Sequence, residues 1–419
     1  MKYNYRKYCN FVPLNNYIVM KKIISFVSIM LFGVLFSQQG QLRKVAAVGF
    51  FNVENLWDTI QSADYIDGTK DFSNPAFHRS IPLDSVKLLE VTEEYKGPWS
   101  NELLRGKKVV RYQSGSDEFT PKSGKNYNTK IYNQKLANSA QVISELGAQY
   151  TKTAPVVVGL IEVENRQVIQ DLIKQPALAK YDYGIIHYNT FDARGIDVAI
   201  IYQKRRFTPT NSLKKEVKIF DSEGKKRVYT RDVLVVTGFL DNEKVAFFMN
   251  HWPSRSGGEA ASAPRRNAAA AVLKQQMDSI RAQDPTTKLI AMGDFNDDPV
   301  NTSLKNHLGT VAAKKDLSDQ KPYLNLMYPL FKKGVASLAY QNAPNLFDQI
   351  IVSKNVLSDK VTKEYSLLKT EIYAPGYLIN KEGSFRGYPF RSWNGDKFTG
   401  GYSDHFPAFI VLQKEVSKQ

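Results

Sequence analysis

Short apolar, β-prone runs recur along this chain, and almost every one adjoins a small group of acid, amide or histidine residues. Apolar runs of this length between turn residues are typical of buried strands. The runs lie at residues 45–53, 155–161, 183–188, 197–202, 233–240, 244–250, 288–293, 349–352 and 408–412. The chain is therefore expected to build sheets whose strand ends carry polar groups on a rigid support.

Helix-like segments alternate with these runs. Residues 129–146 carry apolar side chains at helical spacing, and Gly147 is placed where the helix would end. Pro264 is expected to begin an alanine-rich helix that continues to about residue 282. A hairpin is predicted around Asp241 and Asn242. Residues 58–128 have the composition of a long irregular insertion. With no internal repeat or domain-scale linker, the pattern indicates one large mixed sandwich of sheets and helices.

Composition limits the classes of chemistry that the chain can carry. It has 419 residues, 42% of them apolar, which is enough for a large core. The formal net charge is +16, and five positive charges fall in the first 37 residues, so the rest of the chain keeps +11. A basic surface attracts polyanions, although the same excess also serves simple solubility. Cys9 is the only cysteine, so the chain beyond residue 37 has no disulfide and no zinc–thiolate site.

The first 37 residues have the features of a secretory signal peptide. Met20-Lys21-Lys22 precedes the mostly apolar residues 23–36, a segment that is short for a membrane span, and Met20 is a candidate true start. We therefore expect a secreted or periplasmic chain made of a single domain, residues 38–419, which is monomeric and has no integral membrane span. A membrane anchor is the alternative interpretation of the apolar segment.

Polar clusters at the predicted strand ends are the candidate functional residues. They are Asn52 and Glu54 in FNVEN, Glu162 in GLIEVEN, His251 in NHWPS, Asp294 and Asn296 in GDFND, Asp348 in FDQ, and Asp404 and His405 in YSDHFP. Because side chains alternate along a strand, Asn52 and Glu54 are expected on one side, and so are Asp294 and Asn296. An isolated NVEN or DQI is a weak signal, whereas GDFN after an apolar strand and SDHFP near the C-terminus are stronger.

These residue types point to metal-assisted hydrolysis. Carboxylate and amide oxygens without thiols select hard cations, so Mg²⁺, Mn²⁺ or Ca²⁺ is the expected cofactor. His251 and His405 lie in the clusters and are natural proton shuttles, whereas His78, His187 and His307 lie elsewhere and are interpreted as ordinary. Metal, histidine and positioned amides together are what hydrolysis of a phosphoester requires.

With these motifs in order, the chain resembles the endonuclease/exonuclease/phosphatase superfamily, typified by deoxyribonuclease I and by abasic-site endonucleases of the exonuclease III type. The resemblance runs from about Val45 to Val411 and is clearest at FNVENL, GLIEVEN, RGIDVAIIY, NHWPSR, GDFND, FDQIIVS and GGYSDHFP. It implies an α+β fold, a four-layer α-β-β-α sandwich with two packed mixed or antiparallel sheets and outer helices. It also implies an active site where the loops of the two sheets meet.

The resemblance assigns a role to each matching position. Asn52 and Glu162 match metal ligands, Glu54 a second metal carboxylate that only some relatives have, and Asp404 a residue near the metal. Asp294 matches the aspartate that orients or deprotonates the attacking water, Asn296 its phosphate-contacting neighbour, and His251 the histidine that holds a phosphate oxygen. His405 matches the general acid/base, and Asp348 matches the carboxylate that orients it.

Several charged residues near these motifs have two open interpretations. Arg194 and Asp197 either contact phosphate and support the site or form a loop salt bridge. Arg255, Arg265 and Arg266 either clamp substrate phosphates or lie as ordinary residues on a helix surface. Other residues are expected to be structural: Trp57, Trp252 and Trp393 in packing, Glu164 and Asn165 at a helix cap, and Asp297 and Asp298 at a helix start.

Three functions remain compatible with the sequence. The first is a secreted nuclease that cuts DNA or RNA, which export and basic charge favour. The second is a secreted phosphatase or phosphodiesterase for lipid headgroups, inositol or sugar phosphates or nucleotides, with specificity set by insertions at residues 58–128 and 371–400. The third is a non-catalytic binding protein on the same fold, which the complete set of motif residues disfavours.

Overall fold

In the computed structural model, the described residues form twenty-one strands and six α-helices. It describes residues 42–59, 88–90, 108–110, 117–188, 190, 192, 194–220, 227–228, 230–340 and 342–416. The predicted signal peptide and His78 lie outside the described residues, as does most of the predicted insertion at 58–128. The signal peptide therefore stays a prediction. No helix within the described ranges is long and apolar enough to cross a bilayer.

The strands in chain order are β1 Arg43–Leu56, β2 Leu88–Glu90, β3 Lys108–Val110, β4 Val157–Val163, β5 Tyr183–His187, β6 Asp197–Gln203, β7 Phe207–Lys215, β8 Ile219–Phe220, β9 Arg227–Val228, β10 Val233–Leu240, β11 Glu243–His251, β12 Lys288–Asp294, β13 Thr310–Val311, β14 Tyr323–Asn325, β15 Leu338–Tyr340, β16 Ala343–Asn345, β17 Asp348–Ser353, β18 Ser366–Ile372, β19 Trp393–Asn394, β20 Lys397–Phe398 and β21 Ala408–Glu415. The α-helices are α1 Thr129–Glu145, α2 Ala148–Thr151, α3 Arg166–Ile173, α4 Pro176–Ala179, α5 Glu259–Gln283 and α6 Tyr328–Lys332. Short 3₁₀ segments lie at Asp117–Phe119, Lys314–Asp316, Lys354–Val356 and Gly383–Phe385, and a π-helical turn at Ser303–Leu308.

Two mixed sheets carry the fold. The first has six strands in the order β18-β21-β1-β4-β6-β5, and the second has seven in the order β13-β14-β17-β12-β11-β10-β7. In each sheet one central pair is parallel, β1 with β4 and β11 with β12. Because parallel neighbours end at the same sheet edge, these pairs bring polar strand ends together.

Three apolar layers separate four structural layers. Strand β1 shows how, because its side chains alternate between two of them. Val48 and Phe50 pack between the two sheets, whereas Phe51 and Val53 pack against the helices that cover the first sheet. On the outer face of the second sheet, Phe248 packs with the residues of α5. The predicted α+β class and α-β-β-α sandwich are confirmed.

Some predicted boundaries shift for physical reasons. Helix α5 begins five residues before Pro264, so the proline lies inside the helix instead of opening it. Helix α1 ends with Leu146 as its C-cap, and Gly147 follows in the left-handed conformation at φ 69°. Strands β7 and β18 had no apolar signature, because both run through mostly exposed or half-buried residues.

The main compact unit is Lys44–Lys414. A small second unit consists of Met1–Arg43 and Glu415–Gln419, and among its described residues the Val416 N–H donates to the Leu42 carbonyl.

Candidate active site

Strand register places the predicted catalytic residues side by side. His251 ends β11 and pairs in register with Asp294 at the end of the parallel strand β12. Asp294 in turn pairs with Asp348, which begins the antiparallel strand β17. In the other sheet Asn52 on β1 is opposite Ile161 on β4, one residue before Glu162. Each side chain is thus held at the end of a strand rather than on a long loop.

Gly293 allows two of these strands to approach each other. A Cβ at this position would lie 2.0 Å from the carbonyl oxygen of Asn250, a clash with backbone that no small shift removes. Asn250 fixes the same region from the other side, because its buried amide donates to the Phe248 carbonyl at 3.1 Å. The glycine of the GDFN motif is therefore required by packing, immediately before Asp294.

His405 and Asp348 form a buried acid–base pair. His405 Nδ1 lies 2.7 Å from Asp348 Oδ2, and the Ser403 hydroxyl accepts the His405 backbone N–H at 3.1 Å. Burial by itself would lower the pKa of His405, but the carboxylates of Asp348, Asp404 and Asp294 together outweigh it and hold that pKa well above its usual value. His405 is therefore protonated at neutral pH, with Nε2 left for a substrate.

Asp294 is the carboxylate best suited to take a proton. Burial raises its pKa to about 7, with Asp348 and Glu162 acting in the same direction and His405 opposing them. The Asn296 N–H donates to Asp294 Oδ1 at 2.8 Å, which fixes the carboxylate orientation. A base whose pKa lies near the working pH is efficient in proton transfer.

His251 presents a neutral imidazole to the same space. Its Nε2 lies 3.8 Å from Asp294 Oδ2 and 3.9 Å from Glu162 Oε1. Burial lowers the pKa of His251 well below its usual value, and the positive charges of Arg231 and Arg194 act in the same direction. A neutral imidazole can donate one hydrogen bond without carrying a net charge.

Glu162 and Asn52 fit the requirements of a hard cation. Glu162 Oε2 accepts the Asn55 N–H at 3.1 Å, while the nearest cation to Oε1, Arg194 Nη2, is 3.6 Å away. Asn52 Oδ1 accepts the Glu54 N–H at 3.0 Å and keeps a second lone pair. No three acid, histidine or cysteine side chains in the described ranges are arranged to hold a metal ion. One carboxylate and one amide oxygen nonetheless suit Mg²⁺, which keeps several water ligands.

Glu54 and Asp404 belong to a neighbouring charge cluster. Arg391 Nη2 lies 3.4 Å from Glu54 Oε1 and 3.5 Å from Asp404 Oδ2, and so bridges the two carboxylates. Burial raises the pKa of Glu54 to about 7, and the Asp404 charge adds to the shift, whereas Lys135 opposes it. Glu54 Oε2 also accepts the Ser392 N–H at 2.5 Å. The structure thus brings Glu54 and Asp404 together through the 371–400 insertion.

Left-handed backbone at the strand ends corrects the predicted side-chain directions. Glu54, Glu162 and Asn296 have φ values of 51°, 61° and 50°, respectively. Alternation holds only in extended chain, so the argument that put Asn52 with Glu54 and Asp294 with Asn296 on common sides was wrong. Asn296 instead donates from its side chain to the Trp252 carbonyl at 2.9 Å. Non-glycine residues in this conformation are uncommon and concentrate at functional sites.

Arg255 is structural and not a phosphate clamp. Its buried guanidinium donates to Glu259 at 2.9 Å and to the Asn296 carbonyl at 3.0 Å, and lies 3.3 Å from Asp297. Arg266 is fully buried 2.8 Å from the same aspartate. Arg255 and Arg266 therefore contact these internal partners and not a substrate phosphate. Asp297 is also not at a helix start. Its carboxylate is instead the shared partner of Arg255 and Arg266.

Arg265, Asp298 and Asp197 are the remaining charged candidates near the motifs. Arg265 is half-buried on α5, and no polar contact joins it to a described site residue. Asp298 accepts the Leu346 N–H at 2.7 Å, away from any helix start. Asp197 accepts the Thr190 N–H at 2.8 Å and is thus a loop support.

Of the two residues expected at the cap of α3, only Asn165 is there, because Glu164 instead accepts the Asp58 N–H at 2.8 Å. Asn165 caps α3 through the Val168 N–H at 3.0 Å. Trp57, Trp252 and Trp393 are buried. His187 pairs with Asp197, while His307 is exposed.

Three basic residues at the site were not predicted from the sequence. Arg391 lies in the 371–400 insertion, where no motif marks it. Arg231 lies just before β10, and the C-terminal end of β10 is not at the site. Arg231 donates to Asp192 at 2.8 Å and to the Trp252 carbonyl at 2.8 Å. Lys135 had a weak sequence signal, because it is a charged residue beside the apolar stripe of α1. In the structure it is fully buried. A lysine at such a position is rarely buried without partners.

Comparison with known proteins agrees with this geometry. The model of the Endonuclease/Exonuclease/phosphatase family matches residues 111–414, and the chain therefore belongs to this family. Membership makes it a phosphoesterase-type hydrolase, and enzymes of the family generally depend on a divalent metal. No match was found among curated proteins.

Solved structures that are similar to this chain include the following three. A Bacteroides thetaiotaomicron protein of the endonuclease/exonuclease/phosphatase family is 14% identical, with 90% of this chain and 98% of that chain covered and a TM-score of 0.46. D. rerio TDP2 complexed with single strand DNA product is 17% identical, with 66% and 92% covered and a TM-score of 0.42. The B. thetaiotaomicron mannosyl-6-phosphatase is 16% identical, with 67% and 91% covered and a TM-score of 0.42.

Proposed function

We propose that this protein is an exported, divalent-metal-dependent nuclease that hydrolyses phosphodiester bonds of DNA or RNA by attack of water. The observation that carries the hydrolytic part is the buried His405–Asp348 pair at 2.7 Å beside the near-neutral carboxylate of Asp294. A fixed acid and a fixed base in one site are what an in-line displacement at phosphorus needs.

The side chains divide the reaction between them. Asp294 takes the proton from the attacking water, and protonated His405 gives a proton to the leaving oxygen. Neutral His251 donates a hydrogen bond to a phosphoryl oxygen, where negative charge increases in the transition state.

Glu162 and Asn52 would hold the cation. When bound, a divalent cation neutralises phosphoryl charge and lowers the pKa of water. Arg194, 3.6 Å from Glu162 and half-exposed, is the arginine best placed to meet a phosphate. Mg²⁺ is the proposed ion, because a carboxylate and an amide oxygen prefer hard cations; Mn²⁺ and Ca²⁺ have the same donor preference.

Nucleic acid is the proposed substrate for reasons outside the site. The chain beyond residue 37 keeps a charge of +11, which favours binding to polyanions and release of their counterions. The apolar segment after Met20 supports export as a secreted or periplasmic protein.

One observation favours a second candidate, a phosphatase or phosphodiesterase for small esters. Arg255 and Arg266 were candidates for contacts with the phosphates of a polynucleotide. Both form internal ion pairs with Asp297 instead. A phosphatase for nucleotides, sugar phosphates or lipid headgroups needs fewer phosphate contacts than a nuclease does.

A substrate panel separates the two candidates. Full-length purified protein with Mg²⁺ or Mn²⁺ should release fragments from plasmid, single-stranded DNA and RNA, and EDTA should stop the reaction. Intact DNA and RNA together with hydrolysis of nucleotides, inositol phosphates or sphingomyelin would replace the nuclease with the second candidate.

Two substitutions test the proposed acid and base. His405→Ala and Asp294→Ala should each lower kcat by about 10²–10⁴-fold, because each removes a proton-transfer group. His307→Ala is the matched control, since this histidine is exposed on the π-helical turn. Circular dichroism checks folding, and near-normal turnover in either site variant would disprove its assignment.

A further inference from the structure

A cleft of about 330 Å³ adjoins the catalytic site on the side of the 371–400 insertion. Its wall contains three aromatic residues, Phe385, Tyr388 and Phe390, and three asparagines, Asn342, Asn380 and Asn394. The volume lies at the lower end of the range of about 300–1,000 Å³ that small-molecule sites occupy. The cleft is therefore large enough for one small ring system.

The cleft is connected directly to the active-site cluster. Arg391 and Asp404 both line it, and they are the same residues that form the bridge to Glu54. The Tyr402 N–H donates to the Phe390 carbonyl at 2.7 Å, so the cleft wall is bonded to the residue before the Ser403–His405 motif. A group in the cleft therefore lies beside Asp404, the residue that precedes His405.

Backbone hydrogen bonds hold this wall in place. The Asn380 N–H donates to the Tyr388 carbonyl at 2.8 Å, and the Gly387 N–H donates to the Asn380 carbonyl at 2.8 Å. The Phe390 N–H donates to the Leu378 carbonyl at 2.6 Å. Two of the three aromatic residues thus lie on a braced hairpin, which lowers the entropy cost of ordering them around a ligand.

The side chains offered to the cleft are the ones that recognise a flat heterocycle. Phe385 is 41% exposed, and its ring is 6.0 Å from that of Tyr388 at an interplanar angle of 53°, so the two do not stack on each other. The side-chain amides of Asn342, Asn380 and Asn394 make no hydrogen bond to any described residue. Each therefore has a free donor pair and a free acceptor.

We propose that this cleft binds the base of one unpaired nucleotide beside the scissile phosphate. The inference rests on the proposed nuclease function and specifies its substrate as single-stranded nucleic acid or a frayed end. Aromatic faces stack on any base, and asparagine amides match the donor and acceptor edge of a base. Within a duplex those faces and edges are already stacked and paired, so a duplex must first release the nucleotide.

Kinetics with a base-deleted substrate test the proposal. The substrate pair is a single-stranded oligodeoxynucleotide and the same strand with abasic sugars around the cleaved bond. On the normal strand Phe385→Ala should lower kcat/KM between about 5- and 150-fold, the equivalent of one lost base-stacking contact. On the abasic strand the variant and the wild type should be equal, because there is no base to stack.

Phe239→Ala is the matched control, because Phe239 is 38% exposed, lies on β10 and does not line the cleft. Tyr388→Leu is a second test that keeps apolar volume and removes the stacking face. It should act selectively on the normal strand as Phe385→Ala does. Equal losses on both strands for both cleft variants would overturn the base-binding role.

A binding measurement separates failure of the cleft from failure of the nuclease function. In EDTA, calorimetry should show deoxynucleoside 5′-monophosphates binding more tightly than ribose 5-phosphate, and Phe385→Ala should remove the difference. If the wild type cuts no nucleic acid but this difference is present, the nuclease proposal fails and the cleft assignment holds. Equal binding of the sugar phosphate and the nucleotides would overturn the cleft assignment alone.

Discussion

At the scale of single residues, the charge of His405 determines what the site can do. A buried histidine would ordinarily be neutral, as His251 is, because burial lowers the pKa of both. The difference is Asp348, whose Oδ2 lies 2.7 Å from His405 Nδ1. The Asp348 carboxylate, with Asp404 and Asp294 acting in the same direction, thus favours the protonated form of His405, whereas burial favours the neutral form of His251.

Replacement of Asp348 by asparagine should therefore move the pH profile. His405 must be protonated to act, and its pKa is raised in the wild type, so activity is present at lower pH and is lost as pH rises through that pKa. Without the carboxylate the pKa of His405 falls, and the alkaline limb of kcat should shift to lower pH. The acidic limb, set by Asp294, should move much less, because losing the Asp348 charge, which raises the pKa of Asp294, is offset by losing the His405 charge, which lowers it. Rate measurements from pH 5 to pH 10 would show both limbs.

Asp316→Asn is the matched control for this experiment, since Asp316 is an exposed residue of a 3₁₀ segment. It should leave both limbs where they are in the wild type. An alkaline limb that stays in place in Asp348→Asn would show that His405 is not the group whose protonation controls the rate.

At the scale of elements, Lys135 joins three parts of the chain. Its ammonium on α1 donates to the Glu54 carbonyl at 2.8 Å, to the Val53 carbonyl at 3.3 Å and to the Ser392 hydroxyl at 2.8 Å. Burial lowers the pKa of Lys135, while the nearby carboxylates of Glu54 and Asp404 oppose that effect. The helix thereby fixes both the left-handed end of β1 and the insertion that carries Arg391.

Lys135→Met should loosen the insertion without unfolding the protein. Methionine fills a similar volume, but it leaves the three acceptors without their donor, and a hydrogen bond to a charged group contributes about 1.5–3 kcal/mol. Amide hydrogen exchange in peptides that contain Ser392 should accelerate at least about tenfold, and activity should fall. Lys130→Met, an exposed position on the same helix, should change neither quantity. Unchanged exchange at Ser392 would show that Lys135 only fills space.

Strands and helices were predictable where a local sequence pattern determines them, whereas the arrangement of the site side chains was less predictable. Apolar runs fix strands such as β10, predicted with its observed bounds, because burial needs no knowledge of the partner strand. The side-chain directions of Glu54 and Asn296 were not predictable, since left-handed backbone breaks the alternation. The internal role of Arg255 was not predictable either, because its partner Asp297 is 42 residues away and no pattern in the sequence reveals such pairing.

At the scale of the whole molecule, one carboxylate, that of Asp241, connects the two sheets at the end of the sandwich opposite the active site. Asp241 lies in the β10–β11 turn of the second sheet, and its carboxylate accepts Lys44 of the first sheet at 2.6 Å. Arg206 donates to it through two nitrogens, Nε at 2.8 Å and Nη2 at 2.7 Å, and Tyr365 donates at 2.6 Å. Both sheets are therefore bonded to one aspartate, far along β1 from the catalytic end.

This arrangement predicts a pH-dependent contribution to stability that is separate from catalysis. Burial alone would raise the pKa of Asp241, but hydrogen bonds from Arg206, Lys44 and Tyr365 together lower it. The stabilisation is therefore present above the unfolded-state pKa of about 3.9 and is lost as pH falls through the lower folded-state pKa. Asp241→Asn tolerates the same left-handed backbone, φ 46°, and changes only the charge and one acceptor.

At neutral pH this substitution should lower the free energy of unfolding by about 1–3 kcal/mol, measured by urea denaturation, and leave kcat unchanged. The difference from the wild type should shrink as pH falls through the folded-state pKa, because both proteins then lack the charge. Asp182→Asn is the matched control: Asp182 also has a left-handed backbone and pairs with Lys204 at 2.6 Å, but its side chain is 74% exposed. Water screens an exposed pair, so its loss should change stability little. Equal effects of the two substitutions would mean that the bond between the sheets depends on apolar packing alone and not on the Asp241 charge.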